Sequence, residues 1–163
     1  MGGQAVLLHG EFRVTRDIDV TLGLGPWEVE RVLRVVVEEG WEILHESIHE
    51  FVNQTMVLPV QENASGTRID FIFSFSPFEQ QMIEHALVVP VDEVPVRYVT
   101  AADLLILKLF AGRPRDLEDA KTVLLKNRDI DLSYVRGWLA LFGEGSEVNF
   151  MERLKNVEAE TGS

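Results

Sequence analysis

Cysteine is absent from this 163-residue chain. That excludes a disulfide framework, a Cys-ligated zinc finger and a thiol nucleophile, and it fits a reducing compartment. Basic residues are scarce: 15 Lys and Arg stand against 27 Asp and Glu, a formal net charge of −12. Such a chain repels polyanions, which argues against tight non-specific binding to nucleic acid but leaves open a nucleotide held through metal ions. Long apolar runs are also missing. The longest, 104–111, is interrupted by Lys108, whereas a membrane span needs about 20 apolar residues. No basic segment followed by an apolar one opens the chain at Met1, so a secretory leader is not expected. The expectation is a cytoplasmic protein with no membrane partner.

Hydrophobic residues make up 46% of the chain, which rules out a mainly disordered protein. The pattern predicts mixed strands and helices. Residues 5–9 read as a helix opening after Gly2-Gly3. Residues 17–22 alternate as a strand, with Asp17, Asp19 and Thr21 on one face and Ile18, Val20 and Leu22 on the other. Pro26 opens a helix that Gly40 ends. Residues 41–44 read as strand, 45–53 stay ambiguous and 56–60 read as extended. Residues 67–75 form the clearest strand, with Ile69, Phe71, Phe73 and Phe75 on one face and Arg68, Asp70, Ile72 and Ser74 on the other. Ser76-Pro77-Phe78-Glu79 is a capping box for a helix to about residue 85. Strands at 87–91 and 96–99 follow. Thr100-Ala101-Ala102-Asp103 is a weaker cap that opens a helix to residue 111; further helices are predicted from Pro114 to about 126, and at 132–141 and 148–157, with a fraying tail at 158–163. The predicted fold is α/β (α+β): a small mixed sheet flanked by helices over 1–99, and a helical segment over 100–163.

Three acids stand out. Asp17 and Asp19 share a strand face, and Asp70 lies on the non-aromatic face of its own strand. If these strands are neighbours, their apolar faces pack together and the carboxylates converge on the other side. Three carboxylates at one spot repel unless a cation binds, and hard oxygen ligands suit Mg²⁺. Two such ions clamp the attacking and leaving oxygens of a phosphoryl or nucleotidyl transfer. The chain supplies its own control: Arg16-Asp17-Ile18-Asp19 recurs as Arg128-Asp129-Ile130-Asp131, where Asp131 reads as an ordinary helix cap. Gly2-Gly3 before a helix allows close approach of a phosphate. Residues 104–128 hold six basic residues against three acidic ones. Lys108, alone in its apolar stretch, must snorkel to water or meet an anion. Asp116 and Asp119 fall in the first turn of the next helix, where acids favour the dipole; that ordinary role suits Asp116 better than Asp119.

His45-Glu46-Ser47-Ile48-His49 matches the zinc-protease pattern H-E-x-x-H. That chemistry needs both histidines one helical turn apart and a third ligand, such as His85. The bland reading is two surface histidines. His9 reads as a helix-end residue, and Trp27, Trp41 and Trp138 as core or groove residues rather than base-stacking platforms.

Gly2-Gly3, then Gln4, twelve residues and Asp17-Ile18-Asp19-Val20, resembles the signature of nucleotidyltransferases with the DNA polymerase β superfold. Ile69-Asp70-Phe71 resembles their third-carboxylate motif. Residues 105–120, with Leu107-Lys108-Leu109, Gly112-Arg113-Pro114-Arg115-Asp116-Leu117 and Glu118-Asp119, resemble the C-terminal motif of the minimal and AbiEii-toxin-like branch. The resemblance implies transfer of an NMP from an NTP to an acceptor hydroxyl on RNA, protein or a small molecule. It implies two Mg²⁺ or Mn²⁺ ions on Asp17 and Asp19, with Asp70 completing the site. Gly2, Gly3, Arg16 and Lys108 would contact the nucleotide, and Lys108 and Asp119 match a functional Lys and Asp. Members usually carry a helix and strand before the glycine pair, so a sheet lacking one strand or a truncated start is expected. Relatives of this size often act beside a cognate partner as toxin or antitoxin, and the alternative is an inactive partner-binding module.

Overall fold

The computed structural model describes residues 3–10 and 17–162. In chain order they form α1 (Gly3–His9), β1 (Asp17–Leu22), a 3-10 turn (Pro26–Glu28), α2 (Val29–Glu38), β2 (Glu42–Ile43), α3 (Ile48–Thr55), β3 (Val57–Gln61), β4 (Arg68–Phe73) and α4 (Pro77–Glu84). There follow β5 (Leu87–Val91), β6 (Val94–Tyr98), α5 (Ala101–Ala111), α6 (Pro114–Lys126), α7 (Leu132–Gly143) and α8 (Phe150–Thr161). The described residues form two compact units: a sheet unit of residues 3–4 and 17–84, and a helical unit of residues 5–10 and 85–162. The mixed α+β class predicted from the pattern holds. No helix among the described residues is long and apolar enough to cross a membrane.

In the sheet unit the strand order is β1-β4-β3-β2. β4 runs parallel to β1 and antiparallel to β3, and β3 runs antiparallel to β2. Alternation explains the core. Ile69 and Phe73 of β4 and Leu58 and Val60 of β3 project to one face, where Val29, Val32 and Val36 of α2 and Val52 of α3 cover them. Each such side chain contributes roughly 1.5–3 kcal/mol on burial. Met56, at φ 61°, caps α3 in the left-handed conformation, so β3 starts one residue after the predicted extended segment. β4 stops at Phe73 rather than at residue 75. There the Ser74 N–H donates to the Leu24 carbonyl at 2.9 Å and its hydroxyl donates to the Leu22 carbonyl, which clamps the ends of β1 and β4 together. Phe75 therefore leaves the apolar face and packs on Trp27 with ring centroids 5.2 Å apart. Trp27 is 69% exposed, which excludes the core half of its core-or-groove reading. The capping box of α4 is complete: Ser76 donates to Glu79 through its hydroxyl at 2.7 Å and its N–H at 3.2 Å.

In the helical unit, α5 is the buried centre, with Leu104, Leu105, Ile106 and Leu109 all at 0% exposure, and α6, α7 and α8 pack against it. Thr100 caps α5, Asp131 caps α7 as predicted, and Asn149 caps α8. α8 runs to Thr161, so the predicted fraying tail is corrected. Glu158 bonds Arg136 at 2.5 Å, Glu160 pairs with Lys121, and Gly162 at φ 66° closes the helix. His9 ends α1 and pairs through Nε2 with the Val99 carbonyl at 2.8 Å. The carbonyls of His9 and Gly10 accept from Asn127 and Lys126, at 2.9 and 2.7 Å, which satisfies helix-end groups that would otherwise lack partners.

β5 and β6 form a separate hairpin joined by Asp92-Glu93, both at positive φ (45° and 72°). Asn-Gly suits such a turn far better. Asp92→Asn with Glu93→Gly is expected to raise stability by about 1 kcal/mol, read as a higher urea midpoint; a lower midpoint would contradict the strain assigned to this turn.

Candidate functional site

The β1–β4 register places Asp17 beside Arg68, Ile18 beside Ile69 and Asp19 beside Asp70. Parallel partners sit side by side at about 4.8 Å and share a face. Asp17, Asp19, Arg68 and Asp70 therefore occupy one face, opposite the core. The two acid-bearing strands are neighbours, as the sequence reading required. β1 is an edge strand, so Asp17 is exposed and Asp19 partly buried. β4 is interior, and the Asp70 side chain keeps 15% of its exposure. Pro59 of β3 pairs opposite Asp70 and is buried.

Sequence reasoning gave Arg68 no role, although its parity with Asp70 was visible. Its Nε donates to Asp70 Oδ1 at 2.8 Å. That hydrogen bond, followed by the charges of Asp70, Asp17 and Asp19, outweighs desolvation and holds the Arg68 guanidinium above its ordinary pKa. All three acids thus act on one guanidinium. Among the described residues, no three His, Asp or Glu side chains are gathered in metal-ligating geometry. The donor chemistry nevertheless suits a hard divalent cation: three carboxylates on one strand face, with a positive charge already drawn to them.

Lys108 meets an anion rather than snorkelling. Its Nζ donates to Asp116 Oδ1 at 3.0 Å and to Asp119 Oδ2 at 2.7 Å, and its side chain is only 4% exposed. Asp116, read from the sequence as an ordinary first-turn acid, is the more deeply buried of the two carboxylates. Arg113 grips it through Nε at 2.5 Å and Nη2 to the other oxygen at 3.2 Å. Burial alone would raise the Asp116 carboxyl, but the hydrogen bonds and charges of Arg113 and Lys108 prevail and hold it below its ordinary 3.8. This network pins α5 to the first turns of α6 within the helical unit.

Gly3 is the first residue of α1, while Gly2 and Arg16 lie outside the described residues. The H-E-x-x-H reading is corrected. α3 begins at Ile48, so His45 and His49 do not lie one turn apart on a helix. The His45 ring stacks on Phe51 with centroids 4.2 Å apart, and its Nδ1 accepts from the Ser47 N–H at 3.2 Å. His49 pairs instead with Glu30 at 3.3 Å.

The Asp116 pKa is lowered in the folded state, so its stabilisation is fully present above the unfolded value near 3.8 and is lost as pH falls through the lowered one. Asp116→Asn is expected to cost roughly 3–5 kcal/mol near neutral pH, because it strips a partner from a buried cation. Urea unfolding should show the gap between wild type and variant narrowing toward pH 3. A gap that stays constant with pH would contradict the ionised pairing.

No curated protein matches the chain. A protein-family model described as "Nucleotidyltransferase of unknown function (DUF6036)" matches residues 1–144. With the glycine pair, Asp17, Asp19, Asp70 and the Lys108 network all inside that span, the chain belongs to this nucleotidyltransferase family.

Proposed function

We propose that the protein transfers a nucleoside monophosphate from an NTP to an acceptor hydroxyl in a reaction dependent on Mg²⁺ or Mn²⁺. The observation that carries this is the register of β1 and β4, which sets Asp19 directly beside Asp70 and puts Asp17 two residues away on the same face. Asp17 and Asp19 would hold the ions, and Asp70 would complete the set. When bound, the cations supply charge neutralisation for the triphosphate and for the attacking and leaving oxygens.

The remaining work falls to the chain. A bond forms between the acceptor oxygen and the α-phosphorus, and the bond from that phosphorus to pyrophosphate breaks. The acceptor proton passes to the Asp70 carboxylate and then to water. Gly2, Gly3 and Arg16 are the proposed triphosphate contacts. Their value is positioning, since phosphoryl transfer is governed by alignment and electrostatics. The chain's charge of −12 favours a small or protein-borne acceptor over a long polyanion. The likeness to AbiEii-type proteins extends the proposal to action beside a partner protein, as in toxin–antitoxin pairs.

The test is transfer of label from an α-³²P NTP into acceptors of a cell extract, with Mg²⁺ present. Wild type is expected to label a discrete acceptor. Asp70→Asn should lose at least about a hundredfold in rate, while its melting temperature stays near wild type, because relief of one like charge offsets the weakened bond to Arg68. Labelling by Asp70→Asn at the wild-type rate would overturn the assignment.

A further inference from the structure

The acid face carries a cation of its own, and its place bears on how a divalent ion reaches Asp70. Arg68 stands two residues before Asp70 on β4, beside Asp17 of β1, and donates to Asp70 Oδ1 at 2.8 Å. We propose that Arg68 is a built-in counter-ion that competes with the divalent cation for Asp70, so that the metal site is complete only once the guanidinium releases that carboxylate. This rests on the reading of Asp17, Asp19 and Asp70 as the metal ligands.

Three observations support it. First, Asp17, Asp19 and Asp70 all attract Arg68, so the guanidinium offsets their mutual repulsion when no metal is bound. Second, one of the two Asp70 carboxylate oxygens, Oδ1, is already taken by Arg68 Nε at 2.8 Å. A carboxylate oxygen committed to a charge-assisted hydrogen bond is a poorer ligand. Third, the two partners differ in freedom: the Arg68 side chain is 52% exposed, whereas that of Asp70 is 15% exposed. Arg68 can turn into water without opening a buried hole, and Asp70 stays fixed in an interior strand. Arg68 is thus a positioning residue, acting through the orientation of Asp70.

The opposed effects on the metal-free and metal-bound protein give the test, since a merely structural arginine would not produce both. Mn²⁺ alone is titrated calorimetrically into the full chain as wild type, Arg68→Gln, Arg68→Lys and the Asp17→Asn/Asp19→Asn double variant, and melting curves are taken with and without Mn²⁺. The expected result is Mn²⁺ binding by wild type, its loss in the double variant, and about tenfold tighter binding by Arg68→Gln, the scale of removing one nearby like charge. Arg68→Gln should melt lower than wild type without metal and gain more from adding it, while Arg68→Lys stays near wild type. Equal or weaker binding by Arg68→Gln, with the double variant still losing it, would overturn the counter-ion role and leave the metal site standing. No Mn²⁺ binding by either wild type or Arg68→Gln would overturn both.

Discussion

The parallel pairing of β1 with β4 is the constraint on which the sheet unit depends. Because side chains alternate, one register both seats Ile69 and Phe73 in the core and lines up Asp17, Asp19 and Asp70 on the opposite face. A slip of one residue would expose the first set and bury the second. Hydrophobic burial therefore forces the acids together against their own repulsion, and Ser74 locks the arrangement by tying the end of β4 to Leu22 and Leu24. The cost of crowding like charges is met by drawing in a cation.

The two units handle that problem in different settings. Lys108 is buried between Asp116 and Asp119, with Arg113 closing the far side of Asp116. Removing Lys108 or Asp116 leaves a buried charge short of a partner, so this pair fixes the cluster. Arg68 faces its acids at the surface, where water can replace it. The first arrangement suits a joint between helices, and the second suits a face that exchanges one cation for another.

Much of this was legible in the sequence because it was local. The Asp/aliphatic alternation of β1, the capping box before α4, and the caps at Thr100 and Asp131 depend on residues a few positions apart, and each element begins as predicted. What escaped was set by distant partners. The pull of Asp17 and Asp19 on Arg68 needed the parallel neighbour, although its bond to Asp70 spans only two residues of one strand. Asp116 looked like a first-turn acid until α5 packed over it. Residues 158–161 continue α8 because Arg136 and Lys121, from other helices, hold Glu158 and Glu160. Phe75 packs on Trp27 outside the core because Ser74's turn ends β4 at Phe73. The H-E-x-x-H pattern met its letters but not its condition, because α3 starts three residues after His45.

On the proposed function, the acid face of β1 and β4 holds a nucleotide through divalent cations. The deciding measurement is calorimetric titration of an NTP into wild type and the Asp17→Asn/Asp19→Asn variant, each with and without Mg²⁺. Saturable binding by wild type that requires Mg²⁺ and is lost in the variant is expected. Binding of equal strength without Mg²⁺, or undiminished binding by the variant, would contradict it.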